Sequence, residues 1–576
     1  MCRGMLSKDS PPLPLLLLLP LLLACHVESL QLTNCNATQL SELNDVATLN
    51  ALSLSNCSLQ QQLKNAIFLR FNQLLSLELQ HCQLNSLEDY ALHGLSRLQR
   101  LSLAHNNLSV IKTWSEKPLS ALTSLDISFN TLIQVAAKSL MHYPQLQQLN
   151  LSHNLIEHLE AECFHNLSHL KHLQLHNNRL QLIAASYFHG LHRLSSLSLQ
   201  HNLLGQVEPA AFESNTHLRT LRLEQNHLRD LQFLKERGLA RLVYLNLSRN
   251  SLEKLSAQEF SKNFELQHLD LSYNQLKEVN NESLIGLESL ERLNISHNIV
   301  SHIDADSLQP LSALLQLDMS FNLLSSLPAE LFHANSQLKD INFAHNQLQE
   351  LHPALLHQLM HLKQLNLAQN QLEDASWLQH LAPALNRLAL RVDLSSNRLQ
   401  SLNLSSLLFF EHVQLADNRW NCSWLVRHML RTPPASLNFA RSWPMLSAWS
   451  VKELLNIQGV DCFDGQHNRS IVLLDVGTAR LAMGSNCDCE QEPKDELATL
   501  TPPLTWPKIR TDRFDSRSVI IWMLVAIALA FAGLRWGQRF MDRKERSRKL
   551  QKVNEHHPLN KVELEAQRLR SDRERS

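Results

Sequence analysis

The chain has 576 residues, 44% of them hydrophobic, with 53 Lys and Arg against 54 Asp and Glu, a net charge of −1. That balance argues against nucleic-acid binding, which needs a basic surface. The 12 glycines form no GxGxxG, phosphate-cradling loop or GxSxG elbow, and HExxH is absent, so no catalytic site is expected, nor any cofactor or metal. At the N-terminus, Arg3 and Lys8 precede an apolar stretch from Leu13 to Leu23, broken only by Pro14 and Pro20. Residues 1–29 read as a secretory signal peptide. Cleavage is expected after Ser29, with Val27 at minus three; a cut near Cys25 is the alternative, and the choice decides whether Cys25 survives to pair with Cys35.

From Asn106 to Asn370 an asparagine returns 12 times at intervals of 24 residues, each in the frame LxLxxNxL, as in LSLAHNNL at Leu101 to Leu108 and LNLAQNQL at Leu365 to Leu372. Upstream, Cys35, Cys57 and Cys82 hold the asparagine position; downstream, Asn397 and Asn418 continue it at spacings of 27 and 21, giving 17 rungs between Leu30 and Trp420. The alternation in LxL predicts a short strand, with both leucines inward and the middle residue outward. Ten residues after many of these asparagines comes a Phe, as at Phe164, Phe188, Phe212, Phe260 and Phe332, expected to fill the other half of the core. A buried asparagine needs every polar atom satisfied, which backbone groups of neighbouring turns can do. The three cysteines are small enough to bury there and are expected as free ladder thiols rather than disulfide partners.

This register resembles the leucine-rich repeats of extracellular single-pass membrane proteins, similar to insect-type cell-surface and Toll-like ectodomains but without a cytoplasmic signalling domain. The resemblance implies an α/β leucine-rich-repeat solenoid over residues 30–420, a curved horseshoe with a parallel sheet on its concave face and an asparagine ladder beneath. At the spacing of sheet strands, 17 rungs give an arc of roughly 77 Å. Eleven N-x-S/T sequons, Asn36, Asn56, Asn107, Asn150, Asn166, Asn246, Asn281, Asn294, Asn403, Asn421 and Asn468, fit an extracellular glycoprotein. Asn150, Asn246 and Asn294 occupy the outward position of LxL, so glycans there would leave open windows at residues 167–245 and 295–402.

After the last rung, NRWNCSWLVRHML resembles the cysteine-flanked cap of such proteins, with Arg419 in place of the usual proline and Trp424 in place of the second cysteine. The resemblance implies a cap at residues 421–489, a Cys422–Cys462 bridge, and Trp420 and Trp424 packed over the final repeat. Cys487 and Cys489 are left to bridge each other, a cap partner or Cys163, or a second chain; an intramolecular bond is expected ahead of an intermolecular one. Residues 490–517 read as an extracellular stalk. Ser518 to Leu534 is 17 residues without a charge, long enough for a transmembrane helix. Residues 535–576 form a cytoplasmic tail with 13 Lys or Arg against 7 Asp or Glu, which places the repeats outside a plasma membrane in type I topology.

His105, His153, His201, His297 and His345 all precede a ladder asparagine. A pH-sensing column is conceivable, but Phe129, Tyr273 and Phe321 share the slot, and an ordinary family position is the stronger reading. His165, His169, His172 and His176 mimic a metal spacing yet cannot share one face. The expected function is non-catalytic: a receptor, co-receptor or adhesion molecule binding a protein ligand at the cell surface, with homo- or heterodimers allowed. A Toll-pathway accessory receptor is the alternative, and an extracellular structural protein comes third. The expected contact surface is Asp318, Phe321, Asp340, Asn342, His345, Gln364, Asn366, Arg391 and Asp393 on consecutive strands.

Overall fold

The computed structural model describes residues 29–425, with gaps at 37–42, 44–45, 60–61, 65–66, 113, 115–117, 382–389, 404–409 and 422, and the pairs 437–438, 456–457 and 460–461. All of these fall within the unit Met1–Cys487. The expected stalk, membrane span and tail lie outside the described residues, as do Cys422, Cys462, Cys487, Cys489 and Asn468. Among the described residues no helix is long and apolar enough to cross a membrane.

The first leucine of each LxL sits in a short strand, three residues long in most rungs as in Ser196–Ser198, and successive rungs pair in parallel with Leu197 opposite Leu221 and Leu221 opposite Leu245. Among the described residues the result is one sheet of 18 strands from Ser29–Thr33 onward, one more than the repeat count predicts, because Leu437–Asn438 adds to His412–Gln414. Both leucines of the LxL frame point inward; Leu197, Leu199, Leu245 and Leu247 are fully buried.

The returning side departs from the α/β expectation. It consists of turns and two-residue strands, such as Gln134–Val135 with His158–Leu159, plus short 3-10 turns at Gln232–Lys235 and Arg237–Leu239. Leu378–Leu381 is a single α-helical turn. The fold is a mostly non-helical β-solenoid. The geometry is consistent with this: strands repeat every ~4.8 Å, whereas a helix with its side chains is about 10 Å wide, so helices in every repeat would demand a strongly curved solenoid. Tight turns keep the return thin. Gly238 marks the limit, since a Cβ there would lie 1.6 Å from the Phe212 carbonyl oxygen.

The asparagine ladder carries the polar interior. Asn250 Nδ2 donates to the carbonyls of Leu223 (3.0 Å), Leu247 (2.9 Å) and Ser248 (3.3 Å), and its Oδ1 accepts from Leu228 N–H at 3.0 Å. The Leu247 carbonyl also accepts from Asn274 at 3.0 Å, so each rung is tied to the next. On the returning side the expected phenylalanines stack, with Phe188 and Phe212 centroids 5.8 Å apart. Asn215, Asn263 and Asn335 form a second set of fully buried asparagines there, donating to carbonyls such as those of Phe188, Leu239 and Leu308. The sequence reading missed these, although the spacing F-x-x-N is visible at Phe212, Phe260 and Phe332.

One cysteine expectation is overturned. Cys35 and Cys57 form a disulfide, with Cα atoms 4.4 Å apart. Occupying one ladder position on adjacent strands puts the two Cα atoms within the range a disulfide spans. Cys82 remains a free buried thiol whose Sγ lies 3.5 Å from the Leu54 carbonyl, imitating the asparagine amide. Cys163 is also free, 1% exposed, and burial pushes its thiol up to about 12. It is a buried core residue. At the far end Trp420 is fully buried, stacked on Trp424 at 5.1 Å, with its Nε1–H donating to Leu415 O at 3.2 Å.

Candidate functional site

The outward residue of LxL has a local task that the sequence reading did not see. In nine rungs it is Asp or Asn, and its Oδ1 accepts from the amide two residues on, where the chain leaves the sheet. Asp318 caps Ser320 N–H at 2.9 Å and Oγ at 2.6 Å, and Asp393 caps Ser395 in the same way. Asn342 and Asn366 cap Ala344 and Ala368. Four of the nine expected contact residues therefore have a structural role of the Asx-turn type.

Five of the nine converge nonetheless. Asp318, Asp340, Asn342, Gln364 and Asn366 line a shallow depression of about 690 Å³ on the sheet face. Its other side is formed by Tyr244, His268, Asp270, Arg292, Asn294 and Gln316; sequence reasoning left out the first five because it bounded the window at the Asn294 sequon, and passed over Gln316 inside that window. The signal was present: these are outward positions on the preceding strands and, for Gln316, on the strand of Asp318 itself. Three carboxylates face one guanidinium here. Asp340 accepts from Gln316 Nε2 at 2.8 Å, and Asp318 from Asn342 Nδ2 at 3.1 Å. Burial, and then the Arg292 charge, hold His268 below its ordinary pKa. Arg391 and Asp393 lie outside the depression, and Arg391 is paired with Glu411 at 2.8 Å.

Phe321 and His345 belong to a neighbouring feature. They sit beyond the strand ends at a φ of 55°, in the left-handed turn that aims the residue before each ladder asparagine out along the sheet edge. There Tyr273, His297, Phe321 and His345 stack face to face, with centroids 4.0, 4.1 and 3.7 Å apart. Arg249 covers the Tyr273 ring at 4.0 Å. A second stack joins His81, His105, Phe129 and His153 at 4.3, 4.1 and 4.0 Å. The slot expected to be ordinary thus builds two continuous aromatic columns.

Between the columns the strand-end pattern breaks. The position after the second leucine is Ser or Ala in most rungs, but His176, Gln200 and Glu224 fill it in three successive ones. Each has one buried side-chain atom without a hydrogen-bond partner. Burial raises the Glu224 pKa and lowers that of His176.

Of the sequons, Asn36, Asn56, Asn107, Asn166, Asn281 and Asn403 are exposed, whereas Asn150, Asn246, Asn294 and Asn421 are half-buried. The first three of these half-buried asparagines use Oδ1 as a strand-end cap.

Residues 120–180, 168–228, 216–276, 264–324 and 317–372 each match the Leucine rich repeat family; the solenoid over residues 120–372 consists of leucine-rich repeats. Among solved structures, the chain is similar to the complex of Toll with Spatzle from Drosophila, at TM-score 0.62 and 21% identity over 72% of this chain and 58% of that one. It is similar to a complex of TLR13 with single-stranded RNA, at 0.51 and 23% over 72% and 61%. A leucine-rich-repeat protein of Leptospira interrogans matches at 0.50 and 22%, over 72% and 90%. This chain spans less than two thirds of the length of the first two. These likenesses establish the fold. A search of curated proteins gives no match.

Proposed function

We propose that the protein is a cell-surface leucine-rich-repeat receptor, co-receptor or adhesion molecule that binds another protein through the sheet face between Tyr244 and Asn366. The observation that carries this reading is the depression itself, a concave polar surface spanning six strands on a rigid scaffold. Its carboxylates outnumber its cations, which favours a basic protein partner and opposes a polyphosphate backbone. The Spatzle and RNA complexes are properties of the Toll and TLR13 chains. The signal-peptide and Ser518 to Leu534 segments support type I insertion in the plasma membrane, with the repeats outside. A role in a Toll pathway would use the same ectodomain.

The test is capture of an extracellular protein by intact cells displaying the full-length chain, after surface biotinylation has located it. Asp340 caps no backbone amide, so Asp340→Lys should leave folding intact and weaken capture at least tenfold. Unchanged capture would remove the depression as the site; no surface signal would remove the receptor reading. A second expectation follows from Asn294, which lies within the depression. Peptide mass mapping of the secreted-pathway protein should find it bare while exposed sequons such as Asn107 carry glycans, and full occupancy of Asn294 would leave no room for a partner.

A further inference from the structure

We propose that the edge column of Tyr273, His297, Phe321 and His345, with Ile299 and Leu323 beside it, is a docking strip for an apolar side chain of a protein partner, whose neighbouring Lys or Arg residues reach the carboxylates of the adjoining depression. The proposal rests on the protein-binding reading above and names the part of the surface that supplies its anchor.

The strip is a product of the repeat. Two outward columns run along this edge: the left-handed turn residue before each ladder asparagine, and the residue just after it. Over the rungs of Asn298 and Asn322 both columns are apolar or aromatic at once. Ile299 and Leu323 are 42% and 43% exposed, and Tyr273 and Phe321 are each 41% exposed. Gln275 and Gln347 stand at the same position in the flanking rungs, so the apolar patch has polar ends. Such a patch with a polar rim is the anatomy of a binding hot spot. The rings cover one another's faces and present their edges, so the surface is already ordered and little rotamer freedom is lost when a partner arrives.

Charge selects the partner. Asp318 precedes Phe321 by three residues in the same rung, a span of at most roughly 10 Å. An apolar residue seated on Phe321 and Leu323 therefore places a nearby Lys or Arg over Asp318 and Asp340. A lipid surface is the poorer occupant, because anionic headgroups would meet these carboxylates. The other column supplies an internal control. Its rings stack equally closely, yet Asn107 and Thr131 stand where the strip has Ile299 and Leu323.

The experiment immobilises the full-length chain in detergent and measures the affinity of three 12-residue synthetic peptides: one with a central Leu and Phe flanked by Lys, one with Ser replacing the apolar pair, and one with Glu replacing Lys. The first should bind at least tenfold tighter than the others. Phe321→Ala with Leu323→Ser should abolish that margin, Leu323→Ser alone should lower it at least threefold, and Phe129→Ala should leave it unchanged. Equal binding of the three peptides, or an equal loss in Phe129→Ala, overturns the strip. If cell-surface capture of the protein partner then persists in the double variant but fails in Asp340→Lys, the strip is wrong and the protein-binding reading stands. If capture is absent while the peptides still discriminate, the strip stands and the receptor reading fails.

Discussion

Asn250→Ala is expected to destabilise the solenoid by about 4 kcal/mol. The change leaves the Leu228 N–H without its acceptor in a dry interior and takes one of two donors from the Leu223 and Leu247 carbonyls. An orphaned buried group costs about 1–3 kcal/mol and each net hydrogen bond contributes about 1. Because repeats are coupled only to their neighbours, the loss should also split the urea transition into two, one for each flank. Asn250→Cys should fall between wild type and Ala, since Cys82 already serves at the equivalent position with its thiol aimed at carbonyls. A single unshifted transition for Asn250→Ala would show that the ladder contributes little to coupling.

Acidification should produce the second large effect. His105, His153, His176, His268, His297 and His345 all have pKa values lowered from 6.5, in each case by burial first. Neighbouring imidazoles add to this, as His81 does at His105 and His297 at His345, while Asp126 and Asp318 pull the other way at His105 and His297. The sign follows from linkage. The unfolded chain takes up protons first, so their stabilisation is complete above pH 6.5 and is lost as pH falls toward the folded values. Glu224, Glu236 and Glu259, raised by burial, act in the opposite direction: the folded state takes up their protons before the unfolded chain does, which restores stability at lower pH. Thermal unfolding should therefore show a midpoint that drops as pH falls below 6.5. Replacing His105, His153, His297 and His345 by Gln should flatten the drop, and a midpoint that rises on acidification would contradict the account.

The fold was legible because one register repeats so often that a strand, a buried asparagine and a core phenylalanine can each be assigned by arithmetic. What escaped was whatever depends on the relation between neighbouring rungs. Cys35 and Cys57 looked like separate ladder residues until the parallel pairing put them side by side. His297 and Phe321 looked like an interchangeable slot until left-handed turns stacked them. The contact surface was half legible. Alternation showed that Asp318, Asp340 and Asn366 point outward, but not that Asp318 and Asn366 spend an oxygen on capping, nor that the depression runs back to Tyr244. That the described returning side is mostly turns, with one helical turn at Leu378–Leu381, was hidden for a different reason: apolar residues three apart, as at Phe164, Leu167 and Leu170, suit a turn as well as a helix.

The strand-end caps bear on how this surface can change over evolutionary time. Either Asp or Asn serves as the cap, and the capped residue is often Ser. Asp126, Asp270, Asp318 and Asp393 are each followed two residues later by Ser, as are Asn150, Asn246 and Asn294. Exchanging Asp for Asn at any of the first four keeps the capping oxygen and writes an N-x-S acceptor sequence; the reverse exchange at the last three erases one. The scaffold can thus acquire or shed a potential sugar shield, rung by rung across its open face, through single substitutions that keep the capping oxygen, at Asp318 at the cost of the bond its other oxygen accepts from Asn342.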